Sequence, residues 1–518
     1  MDLNNAKERR KYLLSYLLEK DIYISIDDIA QKLSISKGTT RKDLQQCREI
    51  VEKYNIHIVA KQKKGIHLVG NEENIRLLII NYLYKQYVND SFQLDTNTDK
   101  EIQYLINNNE MNSYYQNLFY KVVTVSIKRM LLGCYITYEN KKVMQFQKEN
   151  KLSTVIEKTY HVSMRKRDIE FIMYPLLFTQ KNIYQLYDLN QRFILDIYAL
   201  ISKVIYNRFM ITIPYQELFD EIKFHLTAMI IRSFYKVEDE TFFFIDTSKT
   251  ATLSFEIAKA AVEALEEELE IDINILEIYC LSYYFDLYGL HHNHQNKRKI
   301  AVICKEGNIM TKIIVNKIDL VFHNKINIDS FTGFEEINNV NRYFCIFTTN
   351  QLPQNEKNVQ VSLITHNIEE NKIIAMYKLE AFNRILRQEE VCTKILEIKE
   401  NNYFEQIKEL NSYSGLFDQE FIDGVIKKER VSNFSLSETI FVPHGTIAEK
   451  IIKLAIGIHK KQGGDIMRII YLIGIPKQMN TVQEQIVIEL YDLLFDQSIC
   501  QDISNVLKQK IDYERGEE

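Results

Sequence analysis

The chain has 518 residues, of which 46% are apolar and 26% are charged. It is too long for one hydrophobic core, and domains of roughly 100 to 150 residues predict three to five of them. No uninterrupted apolar stretch approaches the ~20 residues of a membrane span, and the first residues lack the apolar core of a signal peptide. We therefore expect a cytoplasmic protein without membrane insertion.

The seven cysteines are scattered without a Cys-x-x-Cys pair, at positions 47, 134, 280, 304, 345, 392 and 500. An odd, dispersed set argues against a disulfide framework and against a structural zinc site. Three histidines at 291, 292 and 294 have no carboxylate or thiol neighbour in sequence and are interpreted as part of a linker. We expect no metal and no cofactor.

Charge is distributed unevenly along the chain. The first 70 residues contain 14 Lys and Arg against 9 Asp and Glu, a net charge of +5, so the remainder must carry −10 to give the total of −5. A basic terminal segment on an acidic body is what we expect when one domain meets a polyanion.

The basic segment has the pattern of a small DNA-binding domain. Apolar residues at helical spacing predict two short helices, and Ser34-Ile35-Ser36 then forms a tight turn in which Ser36 can cap a third helix. Two short strands follow around a basic tip. This order predicts a winged helix-turn-helix over residues 1–70, whose third helix can enter the major groove while the wing contacts phosphates.

The candidate DNA-contacting residues are Lys37, Thr39, Thr40, Arg41, Lys42 and Gln45 on the third helix, and Lys61, Lys63 and Lys64 on the wing. The alternative is a small dimerisation module whose charges are only solvated. The stretch from Ser34 to Arg76 resembles the opening of bacterial regulators tied to the sugar phosphotransferase system (PTS), of the mannitol-operon and lichenan-operon activator type. The resemblance implies a double-stranded DNA operator, a homodimer, and control by the phosphocarrier protein and IIB components of that system.

From residue 71 to about 290 the apolar pattern is mostly helical, which predicts two all-α units at 71–180 and 181–294. In the second unit, His225 and Arg232 lie seven residues apart on one face of a predicted helix. From the residues alone, His225 is more simply a histidine of the core. The string from His225 to Arg232, however, resembles the first histidine signature of PTS regulation domains, which implies that His225 is phosphorylated.

Other positions depart from that signature. Tyr284 stands where the second histidine of the family would be, and in the first unit Val122 precedes Arg129 at the corresponding spacing. The resemblance therefore implies that 71–180 is a degenerate regulation domain kept for dimer packing.

After residue 297 the pattern changes to short buried strands that alternate with helices, the beginning of a doubly wound α/β unit. Cys304 follows the first strand, where backbone N–H groups can hold a phosphate and favour a thiolate. A buried cysteine at a strand end is the equally simple alternative. Cys-x-x-Gly after an apolar strand resembles the IIB component of PTS permeases over 297–380, which implies phosphorylation of Cys304.

The last segment, 390–518, is similar to the mannitol and fructose type IIA component, another α/β domain. The similarity rests on Lys428-Glu429 and on the sequence Pro443-His444-Gly445-Thr446. It implies that His444 accepts a phosphoryl group, and a neutral imidazole is nucleophilic enough to do so. A turn histidine packed on an edge strand is the alternative interpretation.

Together these features predict a transcription regulator, not an enzyme, that activates carbohydrate-uptake or virulence genes under control of histidine phosphorylation. One alternative is a phosphotransferase component that relays phosphate through His444 and Cys304. Another is a regulator in which the phosphorelay sites are vestigial.

Overall fold

The computed structural model describes residues 5–20, 22–88, 92–137, 151–213, 215–237, 252–290, 298–304, 308–322, 326–349, 361–363, 370–431, 434–436, 439–460, 466–496, 499, 502–507 and 510. They form two compact bodies. The first is drawn from Met1–Ile201, Phe219–Ile245 and Val262–Glu277, the second from Ser202–Leu218, Asp246–Ala261 and Ile278–Glu518. The histidines at 291, 292 and 294 and residues 305–307 lie outside the described residues.

The N-terminal segment has the expected order of three helices and a hairpin. These elements are α1 (Ala6–Lys20), α2 (Ile26–Lys32), α3 (Lys37–Glu52), β1 (His57–Lys61) and β2 (Gly65–Val69). Ser36 caps α3 by accepting a hydrogen bond from Thr39 N at 3.1 Å, as its position before a helical pattern predicted. Ser34 turns the chain between α2 and α3 with a left-handed φ of 53°.

The wing is fixed to the helices through its second strand. Ile24, just before α2, pairs with Ile66 in a single antiparallel bridge. Gly65 has a φ of 110°, and a Cβ there would lie 2.2 Å from the carbonyl oxygen of Ile24. Only glycine allows this approach, so Gly65 sets the position of the basic tip that precedes it.

All regular structure in the described part of 71–290 is helical, as predicted. The helices are α4 (Glu72–Leu78), α5 (Tyr84–Val88), α6 (Thr96–Asn108), α7 (Ser113–Leu131), α8 (Lys151–Tyr160), α9 (Lys166–Met173), α10 (Gln180–Leu189), α11 (Gln191–Phe209), α12 (Tyr215–Phe234), α13 (Leu253–Leu269) and α14 (Ile275–Tyr284), with π-helical turns at Ile79–Leu83 and Phe285–Leu290 and a 3₁₀ turn at Tyr174–Phe178.

One hydrophobic core runs through the first body. It includes Leu13 and Leu17 of α1, Leu44 of α3, Leu78 of α4 and Val122 of α7. The winged head and the helices that follow it are therefore packed together, and burial of these side chains, about 1.5–3 kcal/mol for each, stabilises the attachment.

The second body contains a four-stranded parallel sheet. Its elements are β3 (Arg298–Ile303), α15 (Asn308–Val321), β4 (Ile326–Phe331), β5 (Cys345–Thr348), β6 (Val361–Leu363) and α16 (Glu370–Ile385). The strand order β4-β3-β5-β6 places β3 between two parallel neighbours. Parallel pairing on both sides of the first strand is what a doubly wound sheet requires.

A mixed five-stranded sheet follows in the same body. Its elements are β7 (Val391–Ile398), α17 (Tyr403–Ser414), α18 (Gln419–Val431), β8 (Ile440–Phe441), β9 (His444–Ile447), β10 (Ile452–Lys460), β11 (Ile466–Pro476) and α19 (Thr481–Phe495). The order is β7-β10-β11-β8, and β9 also pairs with β11 in parallel register. β9 therefore lies at an edge, where it carries His444 as its first residue.

Within the described residues, every helix is too short or too polar to cross a bilayer. The division into five domains stays a prediction.

Candidate functional site

Helix α3 is amphipathic in the way a DNA-reading helix requires. Leu44, Cys47 and Val51 are buried against the head, whereas Arg41, Lys42 and Gln45 are exposed. Of the other candidates, Thr39 is half-buried, while Lys37, Lys61, Lys63 and Lys64 are exposed. The structure thus leaves these cationic side chains of helix and wing available to a polyanion.

Thr40 is the exception among the predicted DNA-contacting residues. Its side chain is fully buried, and its hydroxyl donates to the carbonyl oxygen of Ser36 at 3.0 Å. Hydroxyls on a helix often turn back to a carbonyl one turn earlier, which removes them from the surface. The prediction that Thr40 lies on the groove side is therefore wrong.

Two residues near this surface were missed by the sequence reasoning. Arg48 is exposed one turn after Gln45, so helical spacing from Arg41 gave a signal that could have found it. Asp43 is buried beneath the surface and is held by Arg9, whose Nε donates to Oδ2 at 2.5 Å and whose Nη2 donates to Oδ1 at 3.1 Å. This pair fixes the rotation of α3 relative to α1.

A second site lies in the first body, where α12 contacts the first turn of α14. Arg232 donates two hydrogen bonds to the carboxylate of Glu277, at 2.6 and 3.0 Å. His225 approaches the same carboxylate, with Nε2 at 3.1 Å from Oε2. The predicted placement of His225 and Arg232 on one face is confirmed, and Glu277 is what connects them.

The electrostatics of this cluster keep Glu277 ionised. Burial raises the pKa of its carboxyl, but the hydrogen bond from His225 and the charge and hydrogen bonds of Arg232 outweigh burial and lower the pKa to about 2. The His225 side chain is 12% exposed, so one edge of the ring remains accessible to solvent. A negative group added to His225 would meet Glu277 directly and compete for Arg232.

The first helical unit has a related cluster without a histidine. Val122 is buried at the position that corresponds to His225. Arg129 pairs with Glu72 of α4, and Arg76 donates to Asp168 of α9 at 2.6 Å. Two arginines and two carboxylates thus form a neutral buried group, which is consistent with a structural role for this unit.

Cys304 lies at the carboxyl end of β3, as predicted. Its backbone N–H donates to the carbonyl oxygen of Phe331 at 3.0 Å, and its side chain is fully buried. The residues expected to cradle a phosphate, 305–307, lie outside the described part of the chain.

His444 is held from two sides in the second body. Its Nδ1 lies 3.0 Å from the carbonyl oxygen of Val442, and its Nε2 lies 3.0 Å from Nζ of Lys428 on α18. Gly445 follows His444 directly, and a Cβ there would lie 3.0 Å from the ring of Phe421 on α18, a contact that fits only if that ring shifts slightly. Lys428 was not expected to contact the histidine.

Burial and the nearby charge of Lys428 lower the pKa of His444 to about 4. The ring is therefore neutral at pH 7, and since a carbonyl only accepts, Nδ1 carries the hydrogen. Nε2 then presents its lone pair to the Lys428 ammonium. This is the protonation state that a nucleophilic imidazole needs.

His444 is nevertheless only 1% exposed. The rings of Phe434 and Tyr491 flank it edge-on, at centroid distances of 5.1 and 6.1 Å. His459, on β10, is hydrogen-bonded to Gln406 through Nδ1 at 3.0 Å. The site is thus chemically suited to phosphorylation and sterically closed.

Comparison with known proteins agrees with the N-terminal architecture. Residues 5–83 match the model of the Mga helix-turn-helix domain, which supports an N-terminal helix-turn-helix domain in this chain. The matched segment extends beyond the wing through α4, which shares the core of the head.

Over most of its length the chain is similar to curated transcription regulators. It is 20% identical over 478 residues to the "Probable licABCH operon regulator" of Bacillus subtilis (strain 168), which covers 86% of this chain and 74% of the relative. It is also 19% identical over 544 residues to "Transcriptional regulator ManR" of the same organism. This match covers 93% of this chain and 81% of the relative. The resemblance expected from the sequence is confirmed.

Proposed function

We propose that the protein is a DNA-binding transcription regulator that contacts double-stranded operator DNA through α3 and the wing. The observation that supports this most is the exposed polar and basic side of α3, formed by Arg41, Lys42 and Gln45, opposite the side that buries Leu44, Cys47 and Val51. Arginine and glutamine can read base edges, whereas Lys61, Lys63 and Lys64 can neutralise phosphates. The protein acts as a homodimer, so that two heads contact two half-sites.

Regulation is proposed to act through phosphorylation of His225 by the phosphocarrier protein or IIB components of the sugar phosphotransferase system. A phosphoryl group would add up to two negative charges beside the ionised Glu277 and offer Arg232 a competing partner. If Arg232 exchanged Glu277 for the phosphoryl group, the contact between α12 and α14 would loosen. We expect this change to alter the affinity of the two protomers for each other. The regulated genes serve carbohydrate uptake or virulence, and the protein activates them.

His444 and Cys304 are the further proposed acceptors. Their burial favours a second candidate, a regulator whose C-terminal sites are read through protein contacts without being phosphorylated. The alternative of a phosphotransferase enzyme that relays phosphate through both residues does not explain the basic winged head. We therefore do not favour this alternative.

Two measurements test the proposal. Selection of genomic fragments bound by the purified protein, followed by footprinting, should yield one operator with two half-sites. Incubation with the carrier proteins and labelled phosphoenolpyruvate, followed by peptide mapping, should place label on His225. Failure to enrich any DNA sequence would contradict the DNA-binding proposal. An unlabelled His225 would contradict only the proposed regulation by phosphorylation of this histidine.

A further inference from the structure

The last turn of α11 packs into the aromatic cluster that holds His444. Phe209, the final residue of this helix, is fully buried. Its ring centroid lies 5.5 Å from that of Phe434 and 6.5 Å from that of Tyr491, and both contacts are edge-to-face. Since Phe434 and Tyr491 also flank His444, a single cluster joins Phe209 to the histidine.

The backbone of the helix end takes part as well. The main chain of Arg208 lies close enough to the His444 ring to raise its pKa, in opposition to burial and Lys428. The helix stops directly after Phe209, because Met210 adopts a left-handed φ of 56°. Tyr206, on the same turn, is 41% exposed. The helix end therefore inserts one ring and its backbone into the cluster, while Tyr206 remains in solvent.

We propose that the end of α11, residues 202–209, is a removable cover over His444. At 1% exposure, the imidazole cannot be reached by a protein donor or a dissolved reagent while Phe209 is in place. A phosphoryl group among Phe209, Phe434 and Tyr491 would place a charge between apolar rings, where its desolvation is costly. Docking of Phe209 and modification of His444 therefore exclude each other.

This exclusion deepens the proposed function, since it rests on His444 as a phosphate acceptor and assigns that site a regulation. Linkage makes the effect reciprocal: whatever stabilises the docked helix end protects His444, and modification of His444 releases the helix end. Because α11 belongs to the segment predicted as the second regulation domain, the cover would let that segment control the IIA-like domain.

Accessibility of His444 can be measured without any phosphorelay. Diethyl pyrocarbonate acylates neutral imidazole: a ring nitrogen bonds to a carbonyl carbon of the reagent, and ethyl carbonate leaves. Peptide mass spectrometry of the full-length protein gives a rate for each histidine. In the unaltered protein, His444 should react at least about tenfold more slowly than the exposed His57, because it reacts only from an open state.

Phe209→Ala should increase the rate at His444 by about tenfold or more and leave the rate at His57 unchanged, because the loss of a buried phenyl ring favours the open state. Phe209→Leu, which keeps an apolar side chain, should give an intermediate rate. Tyr206→Ala, on the same helical turn but exposed, is the matched control and should change nothing. An unchanged rate at His444 in folded Phe209→Ala would overturn the proposal.

A second measurement decides the case if Phe209→Ala does not fold. In the unaltered protein at urea concentrations below global unfolding, amide hydrogen exchange in 202–209 and acylation of His444 should rise together. The proposed cover would be refuted if acylation of His444 rose while the amides of 202–209 remained protected from exchange. It would also be refuted if His444 in the native protein were acylated as fast as His57. Absence of phosphate on His444 in a phosphorelay assay would count against the proposed phosphorylation of this residue. It would not count against the cover, which the acylation and exchange rates test separately.

Discussion

Arg129 and Glu72 form a two-pronged ion pair between α7 and the first turn of α4. Nε donates to Oε1 at 2.9 Å and Nη2 donates to Oε2 at 2.6 Å, with the side chains only 3% and 9% exposed. Arg129 also donates to the carbonyl oxygen of Leu18 in α1 at 3.4 Å. Since α4 directly follows the wing, this arginine connects the winged head to the helices beyond it.

Arg129→Met should lower the free energy of unfolding of the first body by about 3–5 kcal/mol, because it leaves Arg76, which also pairs with Glu72 at 3.0 Å, as the one arginine of the cluster facing two buried carboxylates. Arg167→Met is a matched control in the same unit. Arg167 pairs with Glu170 but is 40% exposed, so its loss should cost less than about 1 kcal/mol. Urea denaturation measures both changes, and a loss at Arg129 no larger than that at Arg167 would contradict a structural role for the cluster.

His225 is predicted to be the regulatory histidine of the helical units. His225→Asp places a second carboxylate beside Glu277 and should imitate phosphorylation in part, with a change in dimer affinity or operator occupancy. His225→Ala should abolish the response to transported sugars in a reporter strain. His161→Asn, which alters an exposed histidine, should behave like the unaltered protein. If both variants at His225 also do so, this histidine is only a core residue.

Local patterns in the sequence were sufficient for much of the fold. The serine cap of α3, the hairpin with its basic tip and the switch to a parallel sheet at β3 are encoded within a few residues, so spacing and propensity identify them. The same holds for the common face of His225 and Arg232, which depends only on helical geometry.

Contacts between distant segments could not be derived in this way. Glu72 and Arg129 are 57 residues apart, and no periodicity pairs one buried carboxylate with one of several arginines. The packing of Phe209 against Phe434 depends on the relative placement of α11 and the mixed sheet. Thr40 shows a subtler limit: helical spacing leaves it close to the exposed face, and only the structure reveals the hydrogen bond to Ser36.

Arg41→Ala combined with Lys42→Ala should sharply weaken operator binding. Each lost base contact should cost on the order of 1–3 kcal/mol, and each lost phosphate contact should reduce the salt dependence of binding. Thr40→Val, at the neighbouring buried position, should leave operator affinity unchanged, and Lys158→Ala, which removes one exposed cation outside the head, tests whether loss of positive charge elsewhere matters. Gel-shift titrations at several salt concentrations measure these effects. Equal affinity and salt slope in the double variant would remove α3 from the DNA interface.

His444 should be a better phosphate acceptor than Cys304. Its neutral ring, ordered by Val442 and Lys428, can react once it is uncovered and Nε2 is released from Lys428, whereas Asn308, Ile309 and Met310 occupy the positions where the IIB pattern has small residues. Label on His444 should be acid-labile and base-stable. Mass spectrometry after phosphorelay treatment that finds phosphate on Cys304 and none on His444 would reverse this ranking.

The low pKa of His444 makes stability depend on pH in a defined direction. In the unfolded chain its imidazole titrates near 6.5, whereas the folded ring resists protonation down to about pH 4. Between these values the unfolded state binds more protons, so stability falls as pH is lowered through this window, by up to about 3 kcal/mol.

His444→Gln should remove this part of the pH dependence, which urea midpoints of the second body at about pH 7 and pH 4 can detect. Lys428→Met should raise the pKa of His444, because the neighbouring positive charge is lost, yet leave it below 6.5, because the ring remains buried. Histidine-labelled NMR titration follows the ring directly. A ring that titrates near 6.5 in the unaltered protein would show that His444 is solvated, and would contradict both the closed site and its proposed cover.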